Sequence, residues 1–161
     1  MTLRMTNPFY QLPEAGRAIP VALEKAVFTG GVPRSTLAIA AMRASQINKG
    51  SACLWAEVQL AKKEGITDDQ LATVSAWRNA PYFSDAERAA LAFAEAITGM
   101  AHRGSDMISD ELWAELARHY DERQRAALTL WLAGGTMFNI VNSVVREPAG
   151  QTWDNGTDQV G

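Results

Sequence analysis

The sequence of 161 residues has one cysteine, Cys53, and only two histidines. A disulfide framework needs at least two cysteines, and so does a zinc site built from cysteines. A conventional metal cluster is therefore not expected, and the sequence predicts no bound metal and no other cofactor. A lone thiol stays free in a reducing compartment, which fits a cytoplasmic location.

Long hydrophobic runs and an excess of positive charge are also missing. The most apolar stretch, 126–145, is interrupted by two glycines and two asparagines and does not resemble the ~20 apolar residues of a membrane span. The first ten residues contain no apolar segment long enough for a signal peptide. Lys and Arg number 15 against 18 Asp and Glu, whereas a nucleic-acid binder needs a basic face. We expect neither a membrane nor a nucleic-acid partner.

No segment alternates apolar and polar residues as a half-buried strand does, and the helix signals are strong. Three capping boxes, in which a Ser, Thr or Asp precedes a Glu or Gln by three residues, begin at Thr67, Ser84 and Asp121. Apolar residues at helical spacing predict further helices over 14–27, 34–47 and 52–64, and Pro20 should break or kink the first unless that helix begins there. The sequence predicts an all-α, single-domain bundle of six to eight helices over residues 1–161.

The last predicted helix, from Asp121 to about Arg146, is apolar on more than one face. Such a helix lies either in the centre of a core or at a subunit interface, and we expect both here. The chain is therefore expected to form a homo-oligomer. The polar, glycine-containing tail 149–161 is expected to be loose unless a partner subunit holds it.

The candidate chemistry lies around Cys53. A helix start at 48–51 would place backbone N–H groups and the positive end of the helix dipole near the thiol, where they favour the thiolate. Glu57 follows four residues later on the same helix face, so the two side chains could form a proton-transfer pair. The alternatives are a small buried hydrophobic Cys53 and a solvated Glu57.

The run Arg43-Ala-Ser-Gln-Ile-Asn48 and the segment 71–98 resemble the alkylhydroperoxidase D-like, carboxymuconolactone decarboxylase family. The resemblance extends from about Phe9 to Arg146. It implies an all-helical homo-oligomer (a dimer, trimer or hexamer) with peroxiredoxin-type, antioxidant activity. Thiol-using members reduce peroxides with a Cys-x-x-Cys pair, a His four residues past the second Cys and a Glu twelve residues before the first.

Several positions of this pattern differ in the present sequence. The first Cys falls on Gly50, the His on Glu57 and the upstream Glu on Ala38, whereas the second Cys is retained as Cys53. Lys49 stands where the family usually has Gly. Without a second Cys the chain cannot form an intramolecular disulfide, and a carboxylate beside Cys53 would raise the thiol pKa.

Three functions are compatible with these departures. Cys53 alone could reduce peroxides, with an external thiol reductant or a partner subunit resolving the oxidised sulfur. Glu57 could instead be the general acid or base of a non-thiol decarboxylase-like enzyme that acts on small carboxylated lactones. The protein could also be a catalytically silent member that binds a small molecule or only assembles. The sequence leaves the substrate open.

Overall fold

A computed structural model describes residues 2–150, except for the side chains of residues 101, 102 and 105. Within these residues there are eight α-helices, two short 3-10 segments and no strand. The prediction of an all-α bundle is confirmed, at the upper end of the predicted helix number. Residues 151–161 of the predicted tail lie outside the described part of the chain.

The α-helices have the following bounds: α1 Pro8–Gln11, α2 Pro13–Phe28, α3 Arg34–Asn48, α4 Ser51–Lys63, α5 Asp68–Thr73, α6 Asp85–Arg103, α7 Asp110–His119 and α8 Glu122–Val145. The 3-10 segments are Val74–Asn79, after α5, and Ser105–Met107, after α6.

All three predicted capping boxes are present at helix starts. Thr67, Ser84 and Asp121 each accept a hydrogen bond from the backbone N–H three residues on, and the Gln or Glu at that position bonds back to the cap. Each box satisfies two backbone donors that the first turn of a helix leaves without partners. The starts of α5, α6 and α8 are therefore determined by four consecutive residues each.

The sequence predicts a break or a kink at Pro20; this residue neither begins nor ends a helix but lies within the continuous α2, so a break is wrong. A proline ring removes the backbone hydrogen bond to the carbonyl four residues earlier. Tertiary packing compensates for this loss, because Val27 is fully buried and Leu23 packs closely against Gly134 of α8. A side chain at Gly134 would bring its Cβ within 2.4 Å of Leu23 Cδ2.

Helix α3 is the central element of the bundle. It is buried over two and a half turns and contributes to both apolar clusters of the core, one with α2, α6, α7 and α8 and the other with α4 and α6. Four of its buried residues are alanines, whose small side chains let neighbouring helices approach closely; these are Ala38, Ala40, Ala41 and Ala44. The run 43–48, which carries part of the family resemblance, thus belongs to the central helix of the bundle.

Helix α8 packs against α2, α3, α4 and α6 and buries Leu128, Leu132 and Val145. It also exposes Leu130, Ile140 and Val144, each by more than half. By length and composition alone it could cross a membrane, a test that the core helix of a soluble protein also passes. The helix therefore has one face in the core and an apolar face that the single subunit leaves exposed.

Candidate active site

The turn between α3 and α4 brings the candidate residues to the end of the central helix. Lys49 caps α3 in the left-handed conformation (φ 57°), and Gly50 precedes α4. A side chain costs roughly 1–2 kcal/mol in this conformation, a cost that the Gly implied by the resemblance at this position would avoid. The Lys49 side chain is exposed to solvent at the surface of the turn.

Cys53 lies in the first turn of α4 and is only 8% exposed. The Asn142 side chain of α8 donates a hydrogen bond from Nδ2 to Cys53 Sγ at 3.2 Å. Burial raises the pKa of the thiol to about 11; the bond from Asn142 opposes this shift, and the Glu57 carboxylate adds to it. The position in the first helical turn therefore does not make Cys53 a thiolate at neutral pH.

Asn142 belongs to a buried hydrogen-bonded chain that joins the two ends of the described structure. Its Oδ1 accepts from Asn7 Nδ2 at 2.9 Å, and Asn7 Nδ2 also donates to Glu147 Oε2 at 3.0 Å. Asn7 Oδ1 accepts from the backbone N–H of Phe9 at the start of α1. The sequence analysis missed these residues, because partners 135 and 140 positions apart leave no local pattern.

Glu57 lies one turn after Cys53 on α4, as the spacing predicts, and close enough for its charge to act on the thiol. The residue is half-buried, but its Oε2 is inaccessible to solvent and has no hydrogen-bond partner. Burial raises the pKa of this carboxyl to about 8, against the opposing effect of a hydrogen bond from Ser45 of α3. Glu57 is thus protonated at pH 7 and loses its proton near pH 8.

Asn139, a second buried asparagine of α8, ties that helix to α3. Its Nδ2 donates to Ser45 Oγ and to the carbonyl of Gly135, both at 2.9 Å. Its Oδ1 has no partner and lies against Gly50, where a Cβ atom would come within 1.8 Å of it. The place of the family's first cysteine side chain is therefore occupied by the Asn139 amide.

A second polar network holds α3 to α6. Glu95 Oε1 accepts from Arg43 Nε at 2.8 Å and from Trp77 Nε1 at 3.1 Å, and Oε2 pairs with Arg78 Nη1 at 2.7 Å. Burial would raise the pKa of Glu95, but the hydrogen bonds from Arg78, Arg43 and Trp77 outweigh it and leave the pKa below its ordinary value. Trp77 and Arg78 thus act as structural anchors of the 3-10 segment.

Two surface depressions lie away from Cys53 and Glu57. One, of about 460 Å³, is lined by α7 and α8 at Trp113, Arg125 and Leu130, and the other, of about 390 Å³, includes His119 and Tyr120. Among the described residues no group of three or more His, Cys, Asp or Glu could hold a metal ion. The candidate site itself offers one thiol, one carboxyl and the side-chain amides of α8.

Residues 13–96 match the carboxymuconolactone decarboxylase family. The chain belongs to this family. It is 30% identical over 122 residues to YdfG of Bacillus subtilis, an alignment that covers 76% of the chain and 81% of YdfG. It is 34% identical over 92 residues to YnjA of Escherichia coli, covering 57% of the chain and 48% of YnjA.

Solved structures of similar fold include a protein of unknown function from Agrobacterium tumefaciens, described as a candidate antioxidant defence protein AhpD. It superposes with a TM-score of 0.83 at 24% identity, over 94% of the chain and all of that protein. The debrominase Bmp8 superposes with a TM-score of 0.75 at 22% identity, over 88% of the chain and 74% of Bmp8. These likenesses establish an AhpD-like fold.

In this member of the carboxymuconolactone decarboxylase family, Cys53 and Glu57 lie one turn apart on α4. Residues 50 and 38, where the resemblance implies a Cys and a Glu, carry no such side chains. Gly50 has no side chain to offer, and Ala38 is buried in α3. Two amides, of Asn139 and Asn142, lie where α8 meets this site. A carboxyl and a thiol one helical turn apart can exchange a proton when their side chains come within hydrogen-bond distance.

Proposed function

We propose that the protein reduces hydroperoxides at Cys53, with Glu57 as the proton-transfer group and an external thiol as the reductant. The observation that carries this proposal is the Glu57 carboxyl, with its pKa raised to about 8, one turn from the thiol at the position of the family's imidazole. AhpD-like proteins, to whose fold this chain conforms, include the candidate antioxidant protein of Agrobacterium tumefaciens.

The raised pKa makes Glu57 a better base for a thiol than an ordinary carboxylate. An unperturbed carboxyl of pKa 4.5 holds a proton far more weakly than a thiol of pKa 9, whereas here the values are about 8 and about 11. General bases work best when their pKa is near the working pH. Burial is the main cause of both shifts. It makes the difference in pKa between the thiol, the proton donor, and the carboxyl, the proton acceptor, smaller than for unperturbed groups.

The proposed step moves one proton and breaks one O–O bond. The ionised form of Glu57 takes the proton of Cys53, the thiolate attacks the outer peroxide oxygen, and Glu57 returns the proton to the departing alkoxide. Cys-SH and ROOH thus become Cys-SOH and ROH. One external thiol then displaces water to form a mixed disulfide, and a second releases Cys53 as the free thiol with an external disulfide. No second thiol of the same subunit can resolve the oxidised sulfur, because the chain has one cysteine.

Peroxide consumption in the presence of a small dithiol tests this proposal. Cys53→Ser should abolish it, and Glu57→Gln should lower it at least tenfold at pH 7, since glutamine cannot carry the proton. The wild-type rate should rise about tenfold per pH unit below about pH 8 and then level, following the Glu57 pKa. Without the carboxyl, the rate should keep rising towards the thiol pKa near 11.

Lys63→Gln, at the exposed end of the same helix, is a matched control that should leave the rate unchanged. A wild-type rate that rises without levelling up to about pH 10 would remove Glu57 from the mechanism. Equal peroxide consumption by wild type and Cys53→Ser would remove Cys53 and with it the proposed activity.

The unpartnered Oε2 of Glu57 favours a second candidate, acid–base chemistry on small carboxylated lactones without the thiol. A buried carboxyl with a raised pKa can act as a general acid at neutral pH. In that case turnover of such a lactone survives Cys53→Ser and is lost in Glu57→Gln. If neither peroxide nor lactone is consumed, the protein is a silent, ligand-binding or assembling member of the family.

We also propose that the functional unit is a homo-oligomer, formed through the exposed face of α8. Leu130, Ile140 and Val144 are exposed by 51%, 59% and 56% in the single subunit. Contiguous apolar surface of this kind marks interaction sites. Leu130→Glu with Ile140→Glu should reduce the oligomer to monomers in sedimentation velocity, whereas the exposed Ser143→Glu should not. Wild-type protein that is monomeric at tens of micromolar would refute this.

A further inference from the structure

We infer that Asn142 is a positioning residue for Cys53 and that Asn7, at the start of the chain, sets the direction in which the Asn142 amide points. The inference rests on the proposed reaction at Cys53 and adds to it a residue that controls the reactivity of the thiol without touching the peroxide. It is carried by four hydrogen bonds whose donors and acceptors can be assigned one after another.

The first direction is fixed by the backbone. The N–H of Phe9 is a donor and can be nothing else, so the atom of Asn7 that faces it at 3.1 Å is the oxygen Oδ1. The NH₂ group of Asn7 must then face the other way. There it meets Glu147 Oε2 at 3.0 Å, an acceptor, which agrees with the same assignment.

The second direction follows from the first. Because Asn7 offers Nδ2, the atom of Asn142 that meets it at 2.9 Å must be the acceptor Oδ1. The Asn142 NH₂ group is left to face Cys53 Sγ at 3.2 Å. An asparagine amide is not oriented by its shape alone, and here a backbone N–H and a carboxylate orient two amides in series.

The consequence for Cys53 is a permanent donor aimed at its sulfur. Asn7, Asn142 and Cys53 are 2%, 4% and 8% exposed, so water does not compete for these bonds. A donor stabilises a thiolate more than a thiol, since bonds to a charged acceptor are the stronger ones. Of the charged groups around the sulfur, Glu57 acts on it from α4, and Glu147 connects to it through the two amides.

A double substitution that reverses the chain tests the inference. Asn7→Asp with Glu147→Gln keeps one carboxylate and one amide but exchanges their places. The aspartate introduced at position 7 remains a good cap for α1, while its second oxygen now requires Asn142 to turn and donate. The Asn142 oxygen then faces the sulfur, which must keep its proton to bond with it.

Alkylation of Cys53 by iodoacetamide, followed against pH together with the ultraviolet absorbance of the thiolate, is the readout. The double variant should react about tenfold more slowly at a given pH, the equivalent of about one pKa unit, with its profile displaced to higher pH. Asn142→Ala should shift the profile in the same direction. Glu147→Gln alone is the matched control and should leave it unmoved, because the side-chain oxygen of the introduced glutamine can still accept from Asn7.

Alkylation requires no peroxide, so this test can succeed or fail independently of the proposed reduction. An unchanged profile in the double variant would overturn the inference. If that variant does not fold, Asn7→Ser keeps the helix cap, removes the NH₂ group and leaves Asn142 free to turn. It should then give a smaller shift in the same direction, and no shift in Asn7→Ser would equally overturn the inference.

Discussion

Glu57→Gln is expected to make the protein more stable at pH 8 by about 4 kcal/mol while leaving its stability near pH 4.5 almost unchanged. The pKa of this carboxyl is about 8 in the folded protein and 4.5 when unperturbed. Each unit of difference corresponds to about 1.36 kcal/mol. Between these two values the unfolded chain releases the proton and the folded chain retains it.

The sign follows from proton binding in the two states. Because the folded protein binds more protons in this interval, its free energy of unfolding falls as the pH rises from about 4.5 to about 8. This is the reverse of a salt-bridged carboxyl, which stabilises the folded state at high pH. The introduced glutamine does not titrate, so the variant does not lose free energy of unfolding in this way. The difference in free energy of unfolding between variant and wild type therefore grows with pH.

Denaturant unfolding of both proteins at several pH values, at equal protomer concentration, measures this difference. Glu64→Gln is the matched control, because Glu64 lies at the C-terminal end of the same helix in a surface ion pair with Arg34 at 3.3 Å. Such pairs contribute little, so its effect should stay below ~1 kcal/mol throughout. A difference for Glu57→Gln that is the same at about pH 5 and about pH 8 would show that its pKa is not raised.

Gly50→Cys, which rebuilds the Cys-x-x-Cys spacing of thiol-using relatives, is expected to destabilise the protein by about 3 kcal/mol. The backbone at Gly50 (φ −82°) is open to any residue, so conformation is not the obstacle. The obstacle is Asn139, whose Oδ1 would lie 1.8 Å and whose Cγ would lie 2.8 Å from the new Cβ. Restoring the cysteine therefore requires Asn139 to leave its bond with Ser45.

The double variant Gly50→Cys with Asn139→Ala isolates this conflict. Asn139 Cβ lies 3.5 Å from the place that a Cβ at residue 50 would take, an ordinary contact, so alanine removes the overlap. A double-mutant cycle by denaturant unfolding should show the two changes coupled by about 2 kcal/mol or more. Gly135→Ala, one turn earlier on α8 with open space around it, should be neutral or slightly stabilising. Independent, additive effects of Gly50→Cys and Asn139→Ala would contradict the assigned overlap.

The single and the double variant of Gly50 test the same contact, between residue 50 and Asn139. The family position that carries a thiol in dithiol members is filled here by an amide that arrives from α8, 89 residues after Gly50 in the chain (139 minus 50). Reverting one member of such a pair leaves the other in the way. The missing side chain at residue 50 and the Asn139 amide thus fit together in the packing of α3, α4 and α8.

The helices were predictable from the sequence because their signals are local. Four residues from Thr67, from Ser84 or from Asp121 suffice to satisfy the first backbone donors of a helix, and the structure has a helix at each. Pro20 was misinterpreted because the packing that keeps α2 continuous comes from α8. Local rules omit such compensation.

The candidate site was predictable only along α4. Cys53 and Glu57 share a face through helical spacing, but the pKa of each depends on what covers α4. The covering groups come from distant parts of the chain: Asn142 bonds to the sulfur, and Ser45, which is itself bonded to Asn139, acts on the carboxyl. The position of Cys53 at a helix N-terminus predicts a lowered thiol pKa, whereas burial in the folded protein raises it.

The bond between Asn142 and Cys53 also has a consequence for biosynthesis. Chains emerge from the ribosome N-terminus first, and the partner of this thiol is made 89 residues after it. Until α8 has emerged and docked, Cys53 lacks both its amide donor and the burial that raises its pKa in the folded protein. The nascent chain is thus more open to oxidation at this sulfur than the finished protein.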